Sequence, residues 1–587
     1  MPPAFRLLIL ALANAASALA AALPAGAPVL PLDALKPGMK GEVWTVFKGT
    51  TPEPFSVEVT GVVRNALGPG KSLILCELTD ERVQKMGAVA GMSGSPLYID
   101  GRLAGALSYQ VQKFETVRYA GFTPVADLVE VSRKSDQALA AKAARGQPET
   151  RPASNGKPDE ALQPLTPVFA FGGLTPQVVE WLAPQFSELG LRVTGLGGQM
   201  AAGSAPTGAS RSLQPGDAVA VAVTTGDITL AATGTVSYVE GNRVVAFGHP
   251  MMGLGDVALP MARSEIVAIL PSNLNSLKVA NTGEIIGTIS QDRLSAVAGE
   301  LGPAPAMLPV EIAVVRPGEE VKYLRFSAAR HPQLTPLVIG AGTAQAVLGS
   351  NDAGFSNGAR LEANFKFSHG RHVPTASVVS GPQGITQGLT DFVRDIGAVL
   401  QNPYEEIIPE AISVRITPLT VNPQTTLEYV QLSSTTLSSG TNLEATIGWR
   451  DYQGSPAKET VSIPVPAAWQ GRNLELVVTN GDTLDRLTGR SGNLTAAQFR
   501  SLDALLDLVT LSRQPDGLYL AVVESGRIFV DQAAVTRDLP GSYERIASRA
   551  DEARYQSRTA LEPLWETRRL PGRMVPGTVR RAFRVTD

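Results

Sequence analysis

The sequence predicts a mainly β protein with a few helices, and three observations carry that expectation. Gly 57 and Pro 43 are abundant while charged residues make up only 18% of the 587 residues, a balance that suits short strands and turns better than long surface helices. Short apolar runs recur with strand spacing from about Leu35 to Leu128 and again from about Leu213 to Val315. Turn dipeptides separate them, as Asp100-Gly101 separates "PLYID" from "RLAGALSYQ". A chain of this length holds roughly three to four domains.

The first residues, "MPPAFRLLILALANAASALAAALPAGA", place Arg6 before an apolar run and then the small-residue pattern Ala18-Leu19-Ala20. That order predicts a secretory signal peptide over residues 1–22, cleaved after Ala20 or Ala22, and hence an exported, periplasmic or extracellular protein. A retained anchor is the alternative, although the run is short and alanine-rich for a segment that must span a bilayer. No later segment is apolar enough to span. The net charge of −3, without long runs of one sign, speaks against a nucleic-acid partner or a polybasic membrane contact. A single cysteine, Cys76, excludes an internal disulfide framework and any multi-cysteine zinc site; within "SLILCEL" it reads as a buried strand residue.

Residues 30–144 read as a β unit closed by a helix that Thr123-Pro124 opens, with threonine as N-cap and proline in the first turn. Residues 145–212 read as linker, rich in proline and polar residues, around a short helix that starts at Thr175-Pro176, is interrupted by Pro184 and ends at Gly190. A second β unit spans 213–345, where the Glu240-Gly241-Asn242 turn joins two alternating strands and the second delivers His249. Residues 346–408 form a β-rich connection, and 409–485 a sandwich-like accessory domain. Residues 486–587 hold a helix, announced by a capping box at Thr495 and Gln498, followed by an arginine-bearing tail expected to be only partly ordered.

Chemistry points first to "GAVAGMSGSPLYID", where Ser93 stands between glycines at the mouth of a hairpin. Glycine permits the sharp turn that aims backbone amides at a developing oxyanion, and Gly91 and Ser93 could supply those two N–H groups. A serine nucleophile needs a base, and the chain has four histidines: His249, His331, His369 and His372. His249 ends a strand in "VVAFGHPMMGLGD", where flanking glycine and proline turn the backbone and let the ring project. His369 and His372 lie in the polar "SHGRH", without the nearby carboxylates a metal site would want.

These residues resemble a family. "AGMSGSPLYIDGRLAGAL" is similar to the nucleophile segment of the SpoIVB-type serine peptidases, and "GFTPVADLVE" to its closing segment. "RVVAFGHPMMGLGD" resembles the family's histidine segment, "GEIIGTISQDR" the Gly-Thr strand beyond it, and "LTDERVQKMGAVAGMSGS" a stretch with an acidic residue ahead of the serine. The resemblance covers about residues 35–135 and 213–315. It implies Ser93 as nucleophile, His249 as general base and Asp80 as third member, on a trypsin-like double β-barrel, with a protein or peptide substrate and neither metal nor organic cofactor. Here the serine segment precedes the histidine segment, the reverse of the family's order. A permuted half-barrel order preserves the site, because a triad is defined by geometry. Asp80 reads equally well as the N-cap of "DERVQKM". Asp256 is a rival orienter, Ser95 a rival nucleophile whose other role is to close the turn, and Thr288 a cleft or core residue. A catalytically inactive, peptidase-like binding scaffold is the alternative to an active endopeptidase.

Overall fold

The computed structural model describes residues 28–111, 117–142, 162–165, 167–199, 212–272, 276–349, 353–400, 409–489, 503, 506, 510, 512–531, 534–537, 542 and 555–586. The expected signal peptide, the segment "GSAPTGAS", most of the linker after residue 145 and the capping box at Thr495 and Gln498 lie outside them. The chain forms two compact units, one of Met1–Gly172, Phe186–Ala222 and Leu230–Pro305, the other of Gly173–Gln185, Val223–Thr229 and Ala306–Asp587.

The first unit opens with strands β1 (Lys40–Val46), β2 (Pro52–Val63) and β3 (Leu73–Leu78), helix α1 (Glu81–Met86), then β4 (Pro96–Ile99), β5 (Arg102–Val111) and β6 (Tyr119–Pro124). Each neighbours the next in the order β4-β1-β2-β3-β6-β5, and β5 pairs back onto β4, so six strands close a barrel. Period-two alternation sends Phe55, Val57 and Val59 of β2 into an interior shared with Ile74, Cys76, Leu97, Leu107 and Phe122. Cys76 is thus a buried core thiol, as its strand context predicts, and burial raises its pKa. Asp100 and Gly101 both take positive φ, 49° and 71°, which is what the tight β4–β5 hairpin requires.

Helix α2 (Val125–Lys142) follows β6 directly. Thr123 does not cap it. The residue is still in β6, and its hydroxyl donates to the Gly248 carbonyl (2.6 Å) while lying 2.8 Å from the Ser108 hydroxyl. Leu128 and Val131 of α2 pack with Ala106, Val245, Ala296 and Ala298. Strand β7 (Leu162–Pro164), at the end of the expected linker, pairs with β5. After β8 (Val168–Gly172), helix α3 (Pro176–Glu188), β9 (Arg192–Thr194) and β10 (Gly198–Gln199) comes a second ring. Helix α3 runs through Pro184 without a break.

That ring consists of β11 (Ala218–Gly226), β12 (Thr229–Glu240), β13 (Arg243–Ala246), β14 (Gly255–Leu270), β15 (Leu277–Arg293) and β16 (Ala296–Leu301). Its order is β11-β14-β15-β16-β13-β12, closed by β11–β12 pairing, a second six-stranded barrel. Register shifts along the long β14–β15 pair bend those strands enough to curl. Two six-stranded barrels are therefore present, the serine-bearing one first, an arrangement consistent with the expected trypsin-like fold.

In the second unit, β17 (Met307–Val314), β18 (Lys322–Ala329), β19 (Ala359–Lys366), β20 (His372–Val379) and β21 (Ala411–Pro418) line up as β20-β19-β21-β17-β18, with helices α4 (Leu334–Val347) and α5 (Gly381–Leu400). The sandwich-like region has a sheet of β22 (Thr425–Leu432), β24 (Asn442–Asp451) and β25 (Pro456–Pro464). A second sheet holds β23 (Thr436–Ser438), β26 (Asn473–Thr479), β27 (Leu518–Asp531), β28 (Ala534–Arg537), β29 (Tyr555–Arg569) and β30 (Thr578–Thr586), with helix α6 (Gly481–Leu487) beside it. Ile447, Trp449 and Ile463 of one sheet share a core with Leu476, Leu520 and Phe583 of the other. The arginine-bearing tail, expected to be loosely ordered, supplies β29 and β30. In "TVRRAFRVT" Arg580 and Arg584 occupy the outward phase, while Phe583 and Val585 alternate inward in phase with Arg581, whose Nε donates to Val430 O (3.0 Å). Buried Arg513 is held by Asp485 and Glu566 next to this core. Among the described residues no helix is long and apolar enough to cross a membrane.

Candidate functional site

The serine segment is fixed from below. Met92 is fully buried in the first barrel's core, so the residue after it turns away from that core. Met92 N donates to Val89 O (2.8 Å), and Ser95 N (3.0 Å) and Ser95 Oγ (2.6 Å) both donate to Met92 O, which folds the loop on itself. Ser95, the rival nucleophile, is therefore engaged in closing the turn. Neither the Gly91 nor the Ser93 amide is taken by an acceptor among the described residues.

Gly94 brings this loop against the second barrel. Its φ is 95°, and any Cβ there would overlap Thr235 O and Phe247 N, so only glycine allows the approach. Thr235 links the two segments: its N–H donates to Ser93 O (2.8 Å), and its carbonyl accepts from Phe247 N (3.2 Å). Phe247 has φ 69° and is bridged by Gly248 N donating to Ala246 O (2.9 Å), a strained three-residue reversal. That reversal ends β13 and launches His249 at the seam between the barrels.

His249 is fully buried. Its Nδ1 lies 2.7 Å from Pro250 O, and since a carbonyl only accepts, Nδ1 carries the proton and Nε2 keeps its lone pair. This is the tautomer a general base needs. Nε2 has no hydrogen-bond partner, and neither has the buried Ser93 Oγ, so the two are not joined by a hydrogen bond. Burial pulls the imidazole down to about 4, against smaller opposing contributions from the carbonyls of Pro250 and Leu165.

The acidic positions are occupied otherwise. Asp80 caps α1, accepting from Arg82 N (2.8 Å) and pairing with the Arg82 guanidinium (3.1 Å). Although partial burial raises it, those bonds to Arg82 hold its carboxyl below the usual range. Asp256 is bound by Arg293 (2.6 Å) and Gln291 (2.9 Å). Thr288 donates to Pro303 O (2.9 Å). An acid the sequence reading passed over, Asp292, is fully buried and accepts from Met251 N (2.7 Å), Met252 N (2.8 Å) and Leu254 N (3.3 Å). It clamps the loop that follows His249. Burial raises its pKa, and those amides oppose the rise.

The other histidines are elsewhere. His331 Nδ1 accepts from Gln333 N (3.2 Å) and Leu334 N (3.4 Å) at the start of α4, and burial brings it down to about 4. His372 Nδ1 lies 3.1 Å from Asn364 Nδ2, and His369 falls in a short 3-10 turn.

A second residue that the sequence motifs do not mark is Lys278, buried on β15 with Nζ donating to Thr45 Oγ1 (2.8 Å). Burial draws its ammonium down to about 7. One feature of the sequence could have found it: Lys278, Ala280 and Thr282 share the inward phase of the strand, where a lysine is out of place.

A serine presented by a glycine-lined turn, with free amides beside it and a base-competent histidine on the facing barrel, is an arrangement suited to acyl transfer. Residues 22–122 match the SpoIVB peptidase S55 family. The match covers strands β1 to β5 and ends within β6, so the similarity to a serine peptidase family is that of the serine-bearing barrel. The SpoIVB-type segment contains Ser93 and Asp80 and ends before His249. No curated protein and no solved structure matches the chain.

Proposed function

We propose that the protein is an exported serine endopeptidase in which Ser93 is the nucleophile and His249 the base. Ser93 Oγ adds to the carbonyl carbon of a peptide bond while its proton passes to His249 Nε2. The negative charge that develops on the carbonyl oxygen is held by the Gly91 and Ser93 amides. The intermediate collapses by expelling the amine, which takes its proton from His249. Water, deprotonated by the same imidazole, then releases the acyl group and regenerates Ser93.

The observation that carries this reading is a serine beside two free backbone amides on a loop tied through Thr235 to the segment bearing His249, whose Nδ1 contact with Pro250 O leaves Nε2 as the proton acceptor. Pro250 O fixes the tautomer that an aspartate fixes in the trypsin-like triad, but it brings no charge to stabilise the imidazolium. Burial lowers the pKa of His249, and among the described residues no facing carboxylate offsets it. Digestion of an unfolded protein substrate such as reduced casein tests the proposal. New peptides are expected with the wild type and none with Ser93→Ala; equal digestion by both would end it.

Export and self-processing belong to the same proposal. The N-terminal pattern leads to a mature protein beginning near residue 21 or 23 in a periplasmic or extracellular fraction. The linkers on either side of residue 170 offer cleavable chain, and cleavage there should occur in the wild type and stop in Ser93→Ala. One observation favours a second reading, a peptidase-like binding protein: Ser93 and His249 are both fully buried without contact by hydrogen bond. Active enzyme requires the seam to open for substrate and the pair to close, and hydrogen bonds of this kind often tighten only once substrate is bound.

A further inference from the structure

A buried chain of three side chains, which does not include His249, reaches the serine loop. Lys278 Nζ donates to Thr45 Oγ1 (2.8 Å), Thr45 Oγ1 lies 3.5 Å from Thr235 Oγ1, and Thr235 Oγ1 donates to Gly91 O (3.0 Å). Because Thr235 spends its proton on Gly91 O, Thr45 is the donor to Thr235, and every bond in the chain points from the lysine to the loop. The backbones of the same residues complete the grip: Lys278 N donates to Ala90 O (2.9 Å) and Thr235 N to Ser93 O (2.8 Å). The carbonyls of Ala90, Gly91 and Ser93 are thus all held by β12 and β15. The lysine stem also packs on Gly91, where a Cβ would lie only 3.0 Å from Lys278 Cβ and 3.1 Å from its Cδ.

We propose that Lys278, acting through Thr45 and Thr235, is a positioning residue that holds the Gly91–Ser93 segment with its amides turned toward the oxyanion. The catalytic consequence rests on the peptidase reading above; the positioning itself does not. A residue needed only to fill the seam would be apolar, since burying an ammonium without a counter-charge is costly. The hydrogen-bond partner of Nζ is the hydroxyl of Thr45 on β1. The shallow depression that Lys278 and Gly91 line adds Thr194, Thr233 and Ala280, all uncharged. Among the described residues no carboxylate pairs with the lysine, and burial alone accounts for its low pKa.

Four proteins test the relay: wild type, Lys278→Met, Thr45→Val and Thr45→Ser. The rate of Ser93 labelling by a fluorophosphonate is expected to fall about tenfold or more in Lys278→Met and Thr45→Val, while Thr45→Ser, which keeps the hydroxyl, stays within about threefold of wild type. Hydrogen exchange of the peptide spanning Gly87–Ser95 should be faster in Lys278→Met and Thr45→Val and unchanged in Thr45→Ser. Wild-type labelling rates in both Lys278→Met and Thr45→Val, or equal behaviour of Thr45→Val and Thr45→Ser, would overturn the proposal. A wild type that is not labelled at all removes the peptidase reading, and the exchange measurement then decides the relay by itself.

Discussion

Replacing Lys278 by methionine should stabilise the first unit while impairing the site. An exposed lysine titrates near 10.5 and this one near 7 in the fold. Carrying it into the seam therefore costs about 4 kcal/mol at pH 7, where the unfolded chain keeps the proton and the folded chain has half released it. Methionine fills the same stem volume without charge and forfeits the hydrogen bond to Thr45, about 1 kcal/mol, leaving a net gain of about 3 kcal/mol. The sign of the pH dependence is fixed by the lowered pKa. Between pH 7 and 10.5 the unfolded chain binds more protons than the folded one, so wild-type stability from this group climbs with pH. The penalty falls to about 2 kcal/mol at pH 9, and the advantage of Lys278→Met should shrink with it. Urea titration read by hydrogen exchange of the β1 peptide reports the first unit separately from the second. A destabilised Lys278→Met protein, or an advantage independent of pH, would refute the reasoning.

Labelling of Ser93 should rise with pH around 4, not around the ordinary histidine value of 6.5, because the buried imidazole becomes a base only once neutral; a midpoint near 6.5 in a labelling-rate profile would contradict this. Gly94→Ala should cost about 3 kcal/mol or more, or prevent folding, since its φ of 95° and the overlap with Thr235 and Phe247 both oppose a Cβ; thermal unfolding measures it. Asp292→Asn should slow labelling about tenfold with little change in substrate KM, because the amide cannot accept all the N–H groups that hold the loop after His249. Arg513→Met should destabilise the sandwich by about 3–5 kcal/mol by stranding buried Asp485, and leave Ser93 labelling unchanged.

The parts of this fold that local sequence governs were legible in it. Ser93 stood out because its glycines have a backbone purpose, and the Asp100-Gly101 hairpin and buried Cys76 follow from turn chemistry and strand phase alone. His249 was visible as a histidine at a strand end beside glycine. The rest depends on contacts between distant segments. Thr123 looks like a helix cap until the second barrel offers it the Gly248 carbonyl. Asp292 sits between Gln291 and Arg293 in a polar strand end, and its role appears only when the loop after His249 folds over it. In the last strands the density of arginine hides a period-two pattern whose apolar members, Phe583 and Val585, are few. Lys278 was legible in principle, as a charge in an inward phase, but its meaning required knowing which barrel faces that phase.

The central claim is that Ser93 is a nucleophile activated by His249, and active-site labelling with site identification by mass spectrometry tests it most directly. The account predicts a fluorophosphonate adduct on Ser93 in the wild type, none on Ser93→Ala, and a rate at least about a hundredfold lower in His249→Ala. An adduct on a different serine, or labelling of His249→Ala at the wild-type rate, would contradict it.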